Sequence, residues 1–336
     1  MSHKPTTPVA FIFPGQGAQH PRMAAGLYGF DETFTTWMDM GFRLMAEDGP
    51  RLRRQWLAEA PSPMYDDVSV AQPLLYMVNH ALGRMLFDWG VTPVAMLGHS
   101  VGEFAAATLA GVLDFAEGMR LIRDRVEHFA DTPPGGMLAV AAGVEEISDL
   151  LGGKVALAAV NARRQLLLAG DRDSLAEASR ALDARGIVNR DVAARQAFHS
   201  PLVDGAVRAG LPGFRRVRLN LPRLKVYSAY TQDVLSDGEA VDPEFWASQA
   251  ARTVYFAPTL DTLLDDVDCV LLEAGPGDGL SRLARRQPQV LAGRSSVMSL
   301  LPDRWRGDEV DRRSAAAARS LLCPGPVLTG AGGTGV

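Results

Sequence analysis

The chain has 336 residues, of which 47% are hydrophobic and 22% charged, with a formal net charge of −5 at pH 7. This composition is that of a globular protein with a sizeable core, and its negative charge argues against nucleic acid as the main partner. The length suits one large domain with a smaller one inserted or appended, and no apolar stretch is long enough to predict a membrane span.

The first predicted elements form the start of a sheet. The amino terminus lacks the apolar core of a signal peptide, so we expect a cytoplasmic protein. Residues 9–13 predict a buried strand, and the glycines on both sides of Gln16 indicate either backbone that approaches a ligand closely or an ordinary turn. Helical periodicity follows over 31–60, and residues 70–82 predict a buried helix in which His80 packs.

The next stretch combines a strand-like apolar run, a Gly-x-Ser-x-Gly turn centred on Ser100 and an Ala-rich helix. A serine on such a strand-to-helix turn is held out from the backbone, and the glycines relieve crowding there. The amides at the start of the helix point towards it and favour developing negative charge. This context predicts that Ser100 is a nucleophile, against the alternative of an ordinary strand–helix turn.

The middle of the chain changes its pattern. A helix is predicted over 115–130, with most of its arginines on the solvent face. After a Pro/Gly-rich linker, residues 137–192 show the order β-α-β-β-α-β, which is the ferredoxin-like pattern. We therefore predict a small subdomain at 132–195, inserted in a larger one formed by 1–131 and 196–302.

The chain then returns to the larger subdomain. Strands are predicted within 224–228, 267–273 and 297–300, and Cys269 in the second of them predicts a buried free thiol. The other cysteine lies far away in the sequence, so neither a disulfide nor a metal site is predicted. Residues 303–336 turn polar, then Ala/Arg-rich, then Gly-rich, which predicts a flexible tail.

Several motifs stand in the order of a known family. They are Phe-Pro-Gly-Gln-Gly-Ala-Gln at 13–19, Gly-His-Ser-Val-Gly-Glu at 98–103, Val-Asn at 160–161, Ala-Phe-His-Ser-Pro-Leu at 197–202 and Glu-Ala-Gly-Pro-Gly at 273–277. In these motifs the chain resembles the malonyl-CoA:acyl-carrier-protein transacylases, and in particular the acyltransferase domains of polyketide synthases. The resemblance implies an α/β fold, with an α/β-hydrolase-like large subdomain built on a parallel sheet and an inserted ferredoxin-like small subdomain.

The resemblance also implies catalytic roles. Ser100 would take the acyl group from a thioester, and His199 would act first as general base and then as general acid. The backbone amides of Gln16 and Val101 would form the oxyanion hole. A main-chain carbonyl near Gln249 would orient the histidine, where a hydrolase uses an aspartate.

The resemblance also implies which residues contact the substrate. Arg125 stands where the family has an arginine that pairs with a malonyl carboxylate, although a solvated surface arginine is the alternative. Phe198 would leave little room for an α-methyl branch, and Gln72, Asn161 and Gln249 complete the expected substrate-binding residues. The chain departs from the family pattern at Val126, His128, Phe129, Val203, Ala229, Gln232 and Thr253.

We therefore expect a discrete, monomeric acyltransferase of polyketide biosynthesis that needs no cofactor or metal. It would move an acyl group, with malonyl favoured, from acyl-CoA or an acyl-carrier-protein donor to the phosphopantetheine thiol of an acyl carrier protein. Arg163, Arg164 and Arg195 are candidate contacts for an acidic carrier protein or for CoA phosphates. Three alternatives stay open: transfer of an unusual acyl or aminoacyl group between two carrier proteins, hydrolysis of acyl groups on carrier proteins, and non-catalytic docking.

Overall fold

Two sheets organise the chain in the computed structural model, which describes residues 8–60 and 62–323. The strands are β1 (Val9–Phe13), β2 (Ala95–Gly98), β3 (Gly136–Val140), β4 (Val155–Ala162), β5 (Gln165–Gly170), β6 (Asn189–Val192), β7 (Val226–Ser228), β8 (Asp233–Val234), β9 (Val270–Glu273) and β10 (Ser296–Ser299). The helices are α1 (Glu32–Leu44), α2 (Gly49–Leu57), α3 (Val68–Asp88), α4 (Val101–Ala110), α5 (Phe115–Ala130), α6 (Arg172–Ala184), α7 (Asp204–Phe214), α8 (Asp237–Ala240), α9 (Pro243–Ser248), α10 (Phe256–Asp266), α11 (Gly279–Ala284), α12 (Pro288–Leu291) and α13 (Asp308–Leu322).

The larger sheet has the order β10-β9-β1-β2-β7-β8, and every neighbouring pair except β7 and β8 is parallel. In the central pair, Phe13 of β1 lies opposite Gly98 of β2. The residues that follow these two strands, Gln16 and Ser100 among them, therefore lie together at the carboxyl edge of the sheet. This is the edge at which parallel α/β sheets place their ligands.

The core explains the apolar sequence of these elements. The strands β1 and β2 are buried on both faces, as is typical of parallel sheets, and so their sequences are continuously apolar. The longest helix, α3, is buried along most of its length, and His80 on it stacks on Phe115 at 4.3 Å between ring centroids. The prediction that His80 packs inside the protein is confirmed. In the described part of the chain no helix combines the length and apolarity that a membrane crossing needs.

The smaller sheet has the antiparallel order β4-β5-β3-β6. Its chain order is strand, 3₁₀ helix (Glu145–Leu150), two strands, α6 and strand, which is the predicted ferredoxin-like pattern. Leucines on β3, β5 and α6 form its own apolar cluster, and the predicted fold class is confirmed. The subdomain limits 132 and 195 stay a prediction, since the sheet itself begins at 136 and ends at 192.

A short backbone bridge joins the surroundings of the two sheets. The Val160 amide on β4 donates to Val254 O at 2.8 Å, and the Val254 amide donates to Ala158 O at 2.9 Å. Beside this bridge the Thr253 hydroxyl donates to Leu157 O at 2.7 Å. At Thr253 the resemblance leads us to expect a proline, and the hydroxyl there adds a hydrogen bond that a proline ring cannot make.

The prediction of a flexible tail over 303–336 is wrong for the helix α13. Although the sequence of α13 is mostly polar, the helix has a narrow apolar face. Ala315 and Ala318 on this face are buried, and α13 packs against the 3₁₀ helix Ala25–Leu27. The Asp311 carboxylate accepts from the Gly26 amide at 3.1 Å, and a Cβ at Gly26 would lie 2.2 Å from Asp308 O. Small residues on both helices thus permit a close approach. Residues 324–336 lie outside the described residues.

We expect α13 to contribute measurably to stability. An ion pair of 2.9 Å joins Arg22 to Asp308 of this helix. Losing two buried methyl side chains and a partly exposed ion pair costs about 2 kcal/mol, which lowers the Tm of a large domain by about 4 °C. Thermal unfolding of a chain that ends at Pro302, compared with one that ends at Cys323, checks this. Equal melting temperatures of the two chains would show that α13 is not docked.

Candidate active site

Ser100 occupies a sharp turn between β2 and α4. Its backbone has φ 54° and ψ −119°, a conformation that residues other than glycine rarely adopt. A Cβ at Gly98 would lie 2.0 Å from Glu103 N, and one at Gly102 would lie 2.1 Å from Phe13 O. The two glycines are therefore required by the close approach of strand, turn and helix, as the sequence predicted, and they leave the serine hydroxyl exposed to the cleft.

The fold brings His199 to Ser100 across 99 positions of sequence. The Ser100 Oγ lies 2.9 Å from His199 Nε2, while His199 Nδ1 lies 3.1 Å from Gln249 O and 2.9 Å from Arg252 O. Carbonyl oxygens only accept, so Nδ1 carries the proton and Nε2 is free to accept the serine proton. Among the described residues no carboxylate hydrogen-bonds His199. The histidine is thus oriented by main-chain carbonyls, as the resemblance implies.

The electrostatic surroundings keep His199 neutral. Burial lowers the pKa of its imidazole to about 4, and the nearby His99 and Arg125 also act to lower it, whereas the hydrogen bonds to Arg252 O and Gln249 O oppose the shift. At neutral pH the imidazole is therefore unprotonated and able to accept a proton. It is a weaker base than a histidine paired with a carboxylate, because no fixed negative charge contacts the imidazolium.

Two backbone amides lie free beside the serine. In the described residues neither the Gln16 amide nor the Val101 amide donates a hydrogen bond to another residue. The loop that carries Gln16 is pressed against the turn, since a Cβ at Gly15 would lie 2.4 Å from His99 O. Gln72 Nε2 donates to Gln16 Oε1 at 3.3 Å and so restrains the Gln16 side chain. Free amides at such a turn suit an anionic oxygen.

Asn161, a predicted substrate-binding residue, contacts His99, the residue before Ser100. The Nε2 atom of His99 donates to Asn161 Oδ1 at 2.8 Å, and burial lowers the pKa of His99. Both side chains line a second branch of the cleft, of about 440 Å³, beside the branch that contains Ser100. Asn161, on β4 of the small sheet, therefore holds His99 against the loop that carries Gln16.

Arg125 lies half-buried in the carboxyl-terminal half of α5. Its Cζ atom is 5.6 Å from the centroid of the Phe104 ring, and burial lowers the pKa of the guanidinium. In the described residues it forms neither a hydrogen bond nor an ion pair with another side chain. This position contrasts with the solvated helix face that was the alternative. A half-buried cation with unused donors can receive an anionic group of a ligand.

The cleft next to Ser100 has a volume of about 470 Å³ and a partly apolar wall. Phe198 lines it, and its ring meets the ring of Phe129 edge-on at 5.0 Å between centroids. Val203 and Val126 belong to the same apolar cluster. Three of the positions that depart from the family pattern thus pack directly behind the cleft. Arg125 is not part of this wall and borders a separate small cavity together with Phe129.

Two residues of the site were missed by the sequence reasoning. Tyr230 is 5% exposed, and its ring centroid lies 6.3 Å from that of His199. Burial raises the pKa of Tyr230, as does the charge of Glu103, while Arg125 and the Ser100 hydroxyl oppose the rise. Glu103 is wholly buried three residues after the nucleophile. Tyr230 could have been noticed from the departures from the family pattern within 228–232. Glu103 could have been noticed because it is the last residue of the Gly-His-Ser-Val-Gly-Glu motif.

The three arginines expected to contact a partner are exposed, but two of them have partners within the chain. Arg164 pairs with Glu146, and Arg195 lies 3.8 Å from Asp67. Arg163 is exposed next to Arg164, in the turn between β4 and β5. Within residues 8–60 and 62–323, no group of three His, Cys, Asp or Glu side chains is arranged to hold a metal ion.

Comparison with known proteins decides the family. Residues 10–302 match the family model described as the acyl transferase domain. The chain belongs to this family. The acyl transferase resembles a phenolphthiocerol/phthiocerol polyketide synthase of Mycobacterium tuberculosis, with 35% identity over 284 residues. It also resembles the polyketide synthase GfsA of Streptomyces halstedii, with 33% identity over 296 residues.

Solved acyl transferase structures share the fold. The acyl transferase domain of SpnD in complex with 2-(pent-4-yn-1-yl)malonyl superposes with a TM-score of 0.86 at 30% identity, over 95% of this chain and 77% of that one. The malonyl CoA-acyl carrier protein transacylase of Coxiella burnetii superposes with a TM-score of 0.80 at 23% identity, over 96% and 99% of the two chains, and shows the fold alone. The chain matches 84% and 82% of its length to the two synthases, but spans 19% and 4% of theirs. The protein is an acyltransferase enzyme.

The pKa of His199 makes a kinetic prediction. If its imidazole accepts the serine proton, the rate of Ser100 acylation falls as pH drops through about 4, where the imidazole becomes protonated. The rate should be nearly flat from about pH 5 to 7, because the base is already neutral there. Rapid-quench acylation kinetics measure this, with circular dichroism at each pH to exclude unfolding. A midpoint near the ordinary histidine value of 6.5 would contradict the described burial.

Proposed function

We propose that the enzyme transfers an acyl group from a thioester donor, through an ester on Ser100, to the phosphopantetheine thiol of an acyl carrier protein. One observation carries the proposal. The Ser100 hydroxyl lies 2.9 Å from an imidazole nitrogen that is held unprotonated by its tautomer and its burial. A nucleophile paired with a base is the arrangement that acyl transfer through a covalent intermediate needs.

The two half-reactions use the same groups. In the first, His199 Nε2 takes the Ser100 proton while Oγ attacks the thioester carbonyl, and the Gln16 and Val101 amides receive the oxyanion. The tetrahedral intermediate collapses, and the departing thiolate takes the proton from the imidazolium. In the second, the acceptor thiol gives its proton to His199, and its sulfur attacks the ester. Ser100 regains a proton as the new thioester leaves.

The weakness of the base favours transfer over hydrolysis. A thiol, with a pKa of about 8.5, loses a proton far more readily than water, whose pKa is about 15.7. An imidazole whose pKa is near 4 can therefore activate an acceptor thiol more effectively than a water molecule. The serine hydroxyl is activated despite its high pKa because it is already hydrogen-bonded to the base. A base of this strength supports a transferase over the serine hydrolase alternative.

We further propose that the acyl group carries a carboxylate, with malonyl as the simplest case. Arg125 supports this, because it is a half-buried cation whose donors are unused in the described residues. The SpnD domain, which shares 30% identity with this chain, was crystallised with a substituted malonyl group. The polyketide synthases among the relatives support a role in polyketide biosynthesis. The donor would be an acyl-CoA or an acyl carrier protein.

The second candidate is transfer of an unusual acyl or aminoacyl group between two carrier proteins. The observation that favours it is the packing of Phe129, which departs from the family pattern, against Phe198, and the packing of Tyr230 beside His199. These side chains change the shape and polarity of the space around Arg125. They leave Ser100, His199 and the free amides unchanged, so the reaction would be the same for either group.

Arg125→Ala tests the substrate class. Removing the partner of a buried charge costs about 3–5 kcal/mol, so malonyl transfer should slow by about a hundredfold to a thousandfold. Acetyl transfer should hold or rise, since an acetyl group has no charge that needs a partner. The measurement is kcat/KM for malonyl-CoA and acetyl-CoA with a carrier-protein acceptor.

Arg123→Ala, two residues earlier on α5, serves as the matched control and should leave both rates near those of the parent. Equal losses for malonyl and acetyl in Arg125→Ala would show that Arg125 only supports the fold. A parent enzyme that ignores malonyl-CoA and accepts a carrier-bound aminoacyl or monocarboxylic group would place the second candidate first.

A further inference from the structure

A buried carboxyl group lies behind the catalytic pair and has no role in the mechanism above. Glu103 sits in the first turn of α4 and is 0% exposed. It accepts three hydrogen bonds: from Ser228 Oγ at 2.7 Å, from the Ala229 amide at 2.8 Å and from Gln249 Nε2 at 3.0 Å. The group therefore ties the nucleophile's helix to the end of β7 and to the segment that faces His199.

The contact with Gln249 leads to the histidine. Gln249 presents its side-chain amide to Glu103 and its main-chain carbonyl to His199 Nδ1, at 3.0 and 3.1 Å. We propose that Glu103 is a positioning residue, which holds Gln249 so that its carbonyl orients and stabilises the His199 imidazole. The inference rests on the proposed function, because it assigns Glu103 to the same acyl-transfer site.

This arrangement resembles a Ser-His-acid triad in which Gln249 lies between the histidine and the acid. In a serine hydrolase an acidic side chain contacts the imidazole directly. Here a carboxyl group contacts the imidazole's partner, and so its influence on the base is transmitted rather than direct. Such an acid can fix the geometry of the histidine without the strong increase in basicity that a direct carboxylate gives.

The partners of Glu103 fit its ionised form. The Ala229 amide and the Gln249 side-chain amide can only donate, whereas a protonated carboxyl would have to donate a proton of its own. The Ser228 hydroxyl is the remaining partner, and it already accepts from the Tyr230 amide at 3.2 Å. A carboxylate, which accepts throughout, satisfies all three donors at once.

Burial opposes that ionised form and sets the pH at which it appears. It raises the pKa of Glu103 to about 8, against the hydrogen bonds from Ser228, Ala229 and Gln249, and the charge of Glu239 on α8 also acts to raise it. Tyr230 is the other titratable group that faces the carboxyl, and it stays protonated because its own pKa is raised. Glu103 therefore gains its charge as pH rises through about 8.

The charge should be visible in the kinetics. Above about pH 8 the Glu103 anion strengthens its hold on Gln249, whose carbonyl orients His199, so acylation accelerates. The described groups whose charge acts directly on the His199 pKa are His99 and Arg125. The histidine is already neutral from about pH 5, and an arginine keeps its charge at this pH. The second rise is thus assigned to Glu103.

Glu103→Gln tests the proposal, with Glu273→Gln as the matched control. Glu273 is also 0% exposed and accepts from the Leu280 and Ser281 amides at 3.1 and 2.7 Å, with no contact to His199. Above about pH 8, Glu103→Gln should lower the maximal acylation rate about tenfold to a hundredfold, the effect of misplacing a catalytic group. The KM for the donor should be unchanged and the second rise lost. Glu273→Gln should lose similar stability but keep the second rise.

Gln249→Met keeps the proposal falsifiable if Glu103→Gln fails to fold. It removes the linking amide and retains the main-chain carbonyl, so it should show the same loss of maximal rate. The double variant should be no slower than either single one, since both break the same connection. A parent-like rate and pH profile in either variant overturns the inference. An absence of any acyl-enzyme in the parent protein would instead overturn the proposed function.

Discussion

The hydrogen bond between Ser100 and His199 depends on two strained residues held in place by the rest of the fold. Both have positive φ, 54° and 61°, and each such conformation costs about 1–3 kcal/mol. The serine is held by the pairing of β1 with β2 and by two glycines that allow α4 to approach the sheet. The histidine is held by its amide, which donates to Ala250 O at 2.7 Å, and by the two carbonyls at its Nδ1. The strain is tolerated because buried neighbours fix both sides.

The environment of this pair makes His199 a weak base that is unprotonated at neutral pH. Burial, His99 and Arg125 all disfavour the imidazolium, and the groups that favour it are neutral carbonyls rather than a contacting carboxylate. Under the proposed function Arg125 has two effects: it offers a charge partner to a ligand, and it disfavours protonation of His199. A bound carboxylate would offset the second effect, which links substrate recognition to the strength of the base.

The sequence predicted much of the fold and the two residues that the fold brings together, Ser100 and His199, for physical reasons. Parallel strands and the glycines around Ser100 leave local signals, because buried strands are apolar and tight turns require small residues. The meeting of Ser100 with His199 could come only from the resemblance, since 99 positions separate them. The docking of α13 left no such signal, since its contact face is made of alanines, which also suit an exposed helix. The position of Tyr230 beside His199 and the burial of Glu103 depend on tertiary packing, which a local sequence pattern does not encode.

The central claim is that Ser100 carries the acyl group, and intact-protein mass spectrometry after brief exposure to malonyl-CoA measures this most directly. We expect the parent protein to gain the mass of one malonyl group, to lose it when a phosphopantetheine thiol is added, and the Ser100→Ala protein to gain nothing. Acylation of Ser100→Ala to the same extent as the parent would contradict the claim. Failure of the parent to form an ester with any acyl-CoA or acyl carrier protein would contradict it as well.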